Sequence, residues 1–233
     1  MRRVADSAEV RRFRDRREAG RRLAGKLESY GGRDDVIVLG LPRGGIPVGF
    51  EVAAALAAPF DAMLVRKLGV PGREELAMGA IASGDVRVIN EEVVEALALD
   101  DRTIAAAAAR EQRELERREL LYRRGAPAPH VAGRVVIVVD DGLATGATMR
   151  AAAAALRARA PQRVVAAVPV ASPEACGELD AHVDEVVCAV TPPSLGAVGS
   201  WYELFEPPSD EEVVDLLGRG RGREAEFSPA GRR

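Results

Sequence analysis

The apolar positions of this chain fall into short continuous runs separated by alanine-rich or charged stretches. Val36 to Leu39, Ala62 to Val65, Val135 to Val139, Val164 to Val170 and Val183 to Val190 are apolar nearly throughout. A strand with one face in water alternates apolar and polar residues, whereas an uninterrupted apolar strand is covered on both faces, as in a parallel sheet. Between these runs, Pro47 to Ala58 and Ala147 to Ala160 are rich in helix-favouring alanine. Pro161 stops the second of these helices, and Ser172-Pro173 opens another short one. Strand, turn, helix and strand in this order predict βαβ units and an α/β fold with a doubly wound, mainly parallel sheet.

Other segments follow different patterns. Asp6 and Glu9 have the spacing of a capping box, and Val10, Phe13, Leu23 and Leu27 share a helix face, which predicts a helix to about Tyr30. Val70 to Ala77 contains Pro71, Gly72, Arg73, Glu74 and Glu75 with no apolar period, the pattern of an exposed, mobile loop. Gly79 to Ala82 and Val86 to Ile89 flank Ser83-Gly84-Asp85 as the arms of a hairpin. Glu91 to Arg124 has the most helical composition in the chain and predicts one long helix, or two joined near Asp100. Residues 1–217 are expected to form one domain with its core at about 31–190 and a small hood from the chain ends. Gly218 to Arg233 has too little apolar content to order itself and is expected to be a disordered tail.

A length of 233 residues suits such a domain, and a formal charge of -3 without a basic block gives no argument for nucleic acid. The arginine-rich start resembles a transit peptide, but Asp6, Glu9, Asp15 and Glu18 interrupt it, and such peptides are poor in acids. No apolar run approaches the roughly 20 residues that cross a bilayer, so the expectation is a soluble, cytoplasmic protein without membrane partners. Cys176 and Cys188 lack metal-type spacing and read as packed thiols, and His130 and His182 read as solvated or packing residues.

The most informative stretch joins the apolar run Val135–Val139 to Asp140, Asp141, Gly142, Leu143, Ala144, Thr145, Gly146, Ala147 and Thr148. At the end of a parallel strand, a following helix start offers unpaired N–H groups to an anion. Gly146 and Ala147 are small enough for a phosphate to touch the backbone, and Thr145 and Thr148 can add hydroxyl donors and cap the helix. Asp140 and Asp141 would repel that phosphate, so they should face hydroxyl groups or a cation. The stretch is neither a Walker A loop nor a G-x-G-x-x-G turn.

This stretch resembles the motif for 5-phosphoribosyl-1-pyrophosphate (PRPP) in type I phosphoribosyltransferases, an apolar strand followed by two acids and a Thr-Gly-x-Thr turn. The resemblance implies that Asp140 and Asp141 meet the ribose 2′- and 3′-hydroxyls while Thr145 to Thr148 hold the 5′-phosphate, with Ala144 also among the PRPP-binding residues. It covers most of the chain, from about Val36 to Val190, and implies that Leu41-Pro42-Arg43-Gly44-Gly45 binds pyrophosphate. Arg66-Lys67 is similar to a basic pair that precedes a flexible catalytic loop in adenine-type members, with Val70–Ala77 as that lid. Lys67 would then act beside the leaving group and Glu75, or Glu74, as a general base.

Magnesium would be held mainly by substrate and water, without a protein metal cluster. Ala144 stands where 6-oxopurine-type members carry an aspartate, which argues against hypoxanthine or guanine. Trp201 and Tyr202 are candidates to stack on an acceptor ring, or else anchors for the carboxyl-terminal segment. The expected function is transfer of a phosphoribosyl group from PRPP to a nitrogenous acceptor, and a homodimer is compatible with it. A PRPP-binding regulator without turnover is the alternative, and a binder of another phosphorylated ribose a third reading.

Overall fold

The computed structural model describes residues 11–227. Strands β1 (Val36–Gly40), β2 (Phe60–Ala62), β6 (Val135–Val139), β7 (Arg163–Val170) and β8 (Glu185–Val190) form one five-stranded sheet in the order β2-β1-β6-β7-β8. Every pairing in it is parallel. The uninterrupted apolar runs of β1, β6 and β7 are explained by burial on both sides, whereas Ala62–Val65 is the passage out of β2 toward the second sheet and the edge strand β8 is only half-buried. Val36, Val38, Val135 and Ile137 pack on one face with Val48, Val52 and Leu56 of helix α2 (Gly45–Leu56). Ile37, Leu39, Val136 and Val138 pack on the other with Met149, Ala152 and Leu156 of α5 (Ala147–Arg157) and Leu179 of α6 (Pro173–Leu179). Each fully buried leucine or valine of this kind contributes about 1.5–3 kcal/mol relative to exposure.

A second, antiparallel sheet is formed by β3 (Val65–Val70), β4 (Arg73–Ala82) and β5 (Val86–Ile89). The expected hairpin across Ser83-Gly84-Asp85 is therefore present. The loop expected at Val70–Ala77 is instead the tip of a longer hairpin, turning at Pro71-Gly72 and continuing from Arg73 along β4. The tip carries no apolar period because it stands off the core: Arg73 and Glu74 are exposed, and burial begins at Met78. Helices α3 (Glu91–Ala96) and α4 (Asp101–Arg123) follow, separated at Asp100, whose carboxylate caps α4 by accepting from the Thr103 amide. The two-helix form of the expectation is the one observed.

The chain ends differ from expectation. Helix α1 spans only Arg16–Ala24, with Asp15 as its cap, and a 3-10 turn at Glu28–Tyr30 succeeds it. The capping-box spacing recurs at Asp15 and Glu18, which start this helix; Asp6 and Glu9 lie outside the described residues. Phe13 is not on the helix but bridges Tyr202, joining the two ends of the chain. Helix α7 (Asp210–Phe227) extends well into the stretch expected to be disordered, and the remaining residues, 228–233, lie outside the described part.

Tertiary contacts hold α7 where composition alone would not. Val213, Leu216 and Leu217 are buried in the core, and Arg221 Nη2 donates to Asp61 Oδ1 at 2.8 Å. Asp61 Oδ2 accepts from Arg123 Nη1 at 3.0 Å, so one carboxylate of β2 ties the ends of α4 and α7 together. Asp61 and Arg123 are each 5% exposed. Removing one partner from a buried pair strands the other charge, so Asp61→Ala is expected to lower unfolding free energy by about 3–5 kcal/mol in urea titration. A loss below about 1 kcal/mol would assign this network to the surface-pair class.

Candidate active site

The chain winds from β1 to β2 in one direction along the sheet and from β6 through β7 to β8 in the other. Where the winding reverses, the connections that leave adjacent strands on opposite faces diverge and open a crevice at the strands' carboxyl ends. The two loops there are the two that the sequence singled out: Leu41–Gly45 after β1 and Asp140–Gly146 after β6.

These loops touch closely enough to require glycine. A β-carbon on Gly44 would lie 2.0 Å from Asp141 Oδ2, and one on Gly45 would lie 2.4 Å from the Val139 carbonyl oxygen. Neither residue has positive φ, so close approach, not backbone conformation, accounts for the glycines. The first loop is further pinned by the Leu41 amide donating to the Val139 carbonyl at 2.8 Å. Arg43 is exposed, with Asp210 3.9 Å from its guanidinium.

The adjacent acids occupy different environments. Asp140 Oδ1 accepts from the Asp141 amide at 2.9 Å. Its carboxyl is pushed well above the usual aspartate range, first by burial and then by the neighbouring Asp141 charge. Asp141 is paired: Arg16 of α1 places Nε and Nη2 each 2.8 Å from Asp141 Oδ2. Arg16 Nη1 also donates to the Glu206 carbonyl at 2.7 Å, and its guanidinium lies 4.0 Å from the Phe205 ring centroid. Nothing in local sequence announces this partner, which stands 125 residues from Asp141.

Helix α5 starts immediately beyond the turn. Gly146 is its N-cap at φ +70°, a conformation that favours glycine, and no side chain caps the first turn. The threonine caps expected from the sequence are therefore not formed. Thr145 and Thr148 are exposed, as is Ala144, while Ala147 is half-buried, so the first-turn N–H groups border an open surface. Arg150, which no sequence motif marked, folds back on this turn: Nη1 donates to the Thr145 carbonyl at 2.7 Å and lies 3.3 Å from Glu178 of α6. Its position, four residues beyond the Gly146 cap, was the available signal.

A cleft of about 410 Å³ lies between the two sheets and is lined by Pro42, Lys67, Glu74, Arg110, Arg118 and Thr148 among others. It brings the first loop, the basic pair and the start of α5 to one place. Arg66 is there too, but its Nε and Nη2 donate to Glu111 Oε2 of α4 at 2.9 and 2.7 Å. Burial acts to raise the Glu111 pKa, but hydrogen bonds from Arg66 and Arg110 outweigh it and hold the carboxyl below its usual range. Glu75 lies on β4, and its side chain is outside the described part.

Trp201 and Tyr202 are not in the cleft lining. Trp201 Nε1 donates to the Leu195 carbonyl at 2.9 Å. Tyr202 is 4% exposed between Phe13 and Phe205, with ring centroids 5.4 and 4.9 Å away, and its hydroxyl donates to the Asp141 carbonyl at 2.5 Å. A ring so enclosed offers no face to a ligand, so Tyr202 acts as the anchor of the acidic turn.

A mainly parallel α/β sheet with two loops meeting at its switch point defines the class of protein. A family profile described as the phosphoribosyl transferase domain matches residues 9–194. The chain belongs to that family. Two curated Mycobacterium tuberculosis proteins, from strains CDC 1551 and H37Rv and provisionally named phosphoribosyl transferases, are each 46% identical over 219 residues. That alignment takes in 94% of this chain but 48% of each relative, so the chain spans about half their length. The crystal structure of TT1426 from Thermus thermophilus is 44% identical with a TM-score of 0.82, covering 88% of this chain and 97% of that one. Among the described residues, no helix is long and apolar enough to cross a membrane.

The contrast between the two acids generates a stability prediction. Because the folded Asp140 carboxyl holds its proton more tightly than the unfolded chain does, stability is retained below the ordinary aspartate pKa and lost as pH rises through the raised value. Asp140→Asn should therefore be more stable than the parent protein at pH 8, with the advantage vanishing near pH 3. Asp141→Asn, which removes the charge facing Arg16, should instead lose about 1.5–3 kcal/mol at pH 8. Urea midpoints of both variants across this range provide the check, and matching profiles would contradict the assignment.

Proposed function

We propose that this protein is a phosphoribosyltransferase that uses PRPP with magnesium and transfers the phosphoribosyl group to a nitrogenous acceptor. The observation that carries the reading is the union, at one switch point, of a phosphate-suited helix start, two acids and a basic cleft wall. In this reading the N–H groups of residues 145–148 bind the 5′-phosphate, Asp140 and Asp141 meet the ribose hydroxyls, and Arg43, Gly44 and Gly45 receive pyrophosphate. The C1–oxygen bond to pyrophosphate breaks, a C1–nitrogen bond forms, and the acceptor nitrogen gives up its proton, with Glu75 as the proposed base.

Positive charge grows on the ribose in this reaction and negative charge on the departing pyrophosphate. Lys67 and Arg66 border the leaving-group side of the cleft, where cations stabilise that charge more strongly than in bulk water. The donor set fits a magnesium ion that arrives on substrate oxygens: among the described residues the acids lining this cleft are Glu74 and Glu111, and Glu111 is already held by Arg66 and Arg110. When bound, the ion would neutralise charge on the pyrophosphate. The hairpin of β3 and β4, in place of a loose loop, would cover the cleft and exclude water from the reacting sugar.

A second reading, a PRPP-responsive regulator without turnover, is favoured by one observation. Arg16 already occupies Asp141, an acid that the transferase needs for ribose. Incubation with PRPP, magnesium and a panel of nitrogenous bases separates the two: base-dependent pyrophosphate release supports the enzyme, and saturable PRPP binding without release supports the regulator. For either, calorimetry should find PRPP binding weakened about tenfold or more in Asp140→Asn, the equivalent of losing charge-assisted hydrogen bonds. Thr148→Ala should cost about 1 kcal/mol or less. Unchanged affinity in Asp140→Asn would remove the proposed ribose site.

A further inference from the structure

The sequence spacing of Cys176 and Cys188 suggested two packed thiols, but the fold brings them into contact. Their Sγ atoms are 3.0 Å apart, one on α6 and the other on the edge strand β8. Both residues are partly accessible and neither is in a disulfide. Formation of a bond requires the sulfurs to close by about 1 Å, within reach of side-chain rotation at a helix and an edge strand. We propose that Cys176 and Cys188 are a reversible dithiol–disulfide pair whose oxidant is a hydroperoxide.

The surroundings assign the order of events. The contact between the two sulfurs acts to lower the Cys176 pKa, with burial acting the other way. The same contact, and then burial, act to raise the Cys188 pKa, and the Asp180 charge opposes ionisation of both. The Cys176 thiolate attacks one peroxide oxygen, the O–O bond breaks, and the departing hydroxide takes a proton to become water. The Cys188 sulfur then displaces hydroxide from the Cys176 sulfenic acid, losing its proton to it as a second water. Two thiols are oxidised by two electrons, and one hydrogen peroxide is reduced to two waters.

The bridge would pin α6 to β8. Helix α6 is capped by Ser172, whose amide donates to the Leu143 carbonyl within the acidic turn, and its Glu178 faces Arg150.

The test treats the full chain, fully reduced, with stoichiometric hydrogen peroxide, followed by intact mass measurement and peptide mapping without reductant. The expected result is a mass lower by two hydrogen atoms, a Cys176–Cys188 linked peptide, a raised thermal midpoint, and reversal by dithiothreitol. Cys188→Ser should stop at a singly oxidised Cys176 trapped by dimedone. Persistence of both free thiols under peroxide, or addition of oxygen atoms to the parent protein without a linked peptide, would overturn the proposal. Because the parent protein's peptide map decides the question, poor folding of the serine variant would not obscure it.

Discussion

The constraint on which the site depends is the contact between two turns at the carboxyl ends of β1 and β6. Gly44 and Gly45 allow the first turn to lie directly against Val139 and Asp141, and any β-carbon there would collide with backbone or carboxylate. The parallel pairing of the two strands, in register from Val36 with Val135 to Gly40 with Val139, sets both turns at one level. Helices α2 and α5 then leave on opposite faces, so the crevice follows from topology and the small residues keep it narrow.

The chain ends complete what the sheet begins. Phe13 pairs with Tyr202, Tyr202 holds the Asp141 carbonyl, and Arg16 holds the Asp141 carboxylate. The second acid is thus fixed by three residues far from it in sequence, whereas Asp140 stays unpaired by arginine and carries the energetic cost of a partly desolvated carboxyl. Groups placed at such a cost are common where a ligand must be met, since a charge already satisfied by the protein has less to offer.

The central strands were legible because burial on both faces leaves an unbroken apolar run, and the link from β6 to α5 was legible because acids and small residues follow that run directly. The hairpin tip at residues 70–77 was not, since its polar side chains project beyond the core and erase the period that would mark a strand. Helix α7 escaped a compositional reading because its order comes from Leu216, Leu217 and the Arg221–Asp61 bond. Arg16 and the Cys176–Cys188 contact were invisible for a related reason: both are products of tertiary packing, across 125 and 12 residues respectively. Tyr202 was rightly marked as notable, but its enclosed ring makes it a support for the acidic turn, not a platform for a ligand.

The proposed division of labour between the two turns is open to direct observation by amide chemical shifts in isotope-labelled protein. Ribose 5-phosphate, titrated alone, should shift the amides of Thr145, Gly146, Ala147 and Thr148 in a saturable manner and leave those of Arg43, Gly44 and Gly45 far less affected. Pyrophosphate with magnesium should reverse that pattern. Saturable binding of ribose 5-phosphate that leaves the Thr145–Thr148 amides unmoved would contradict the central assignment.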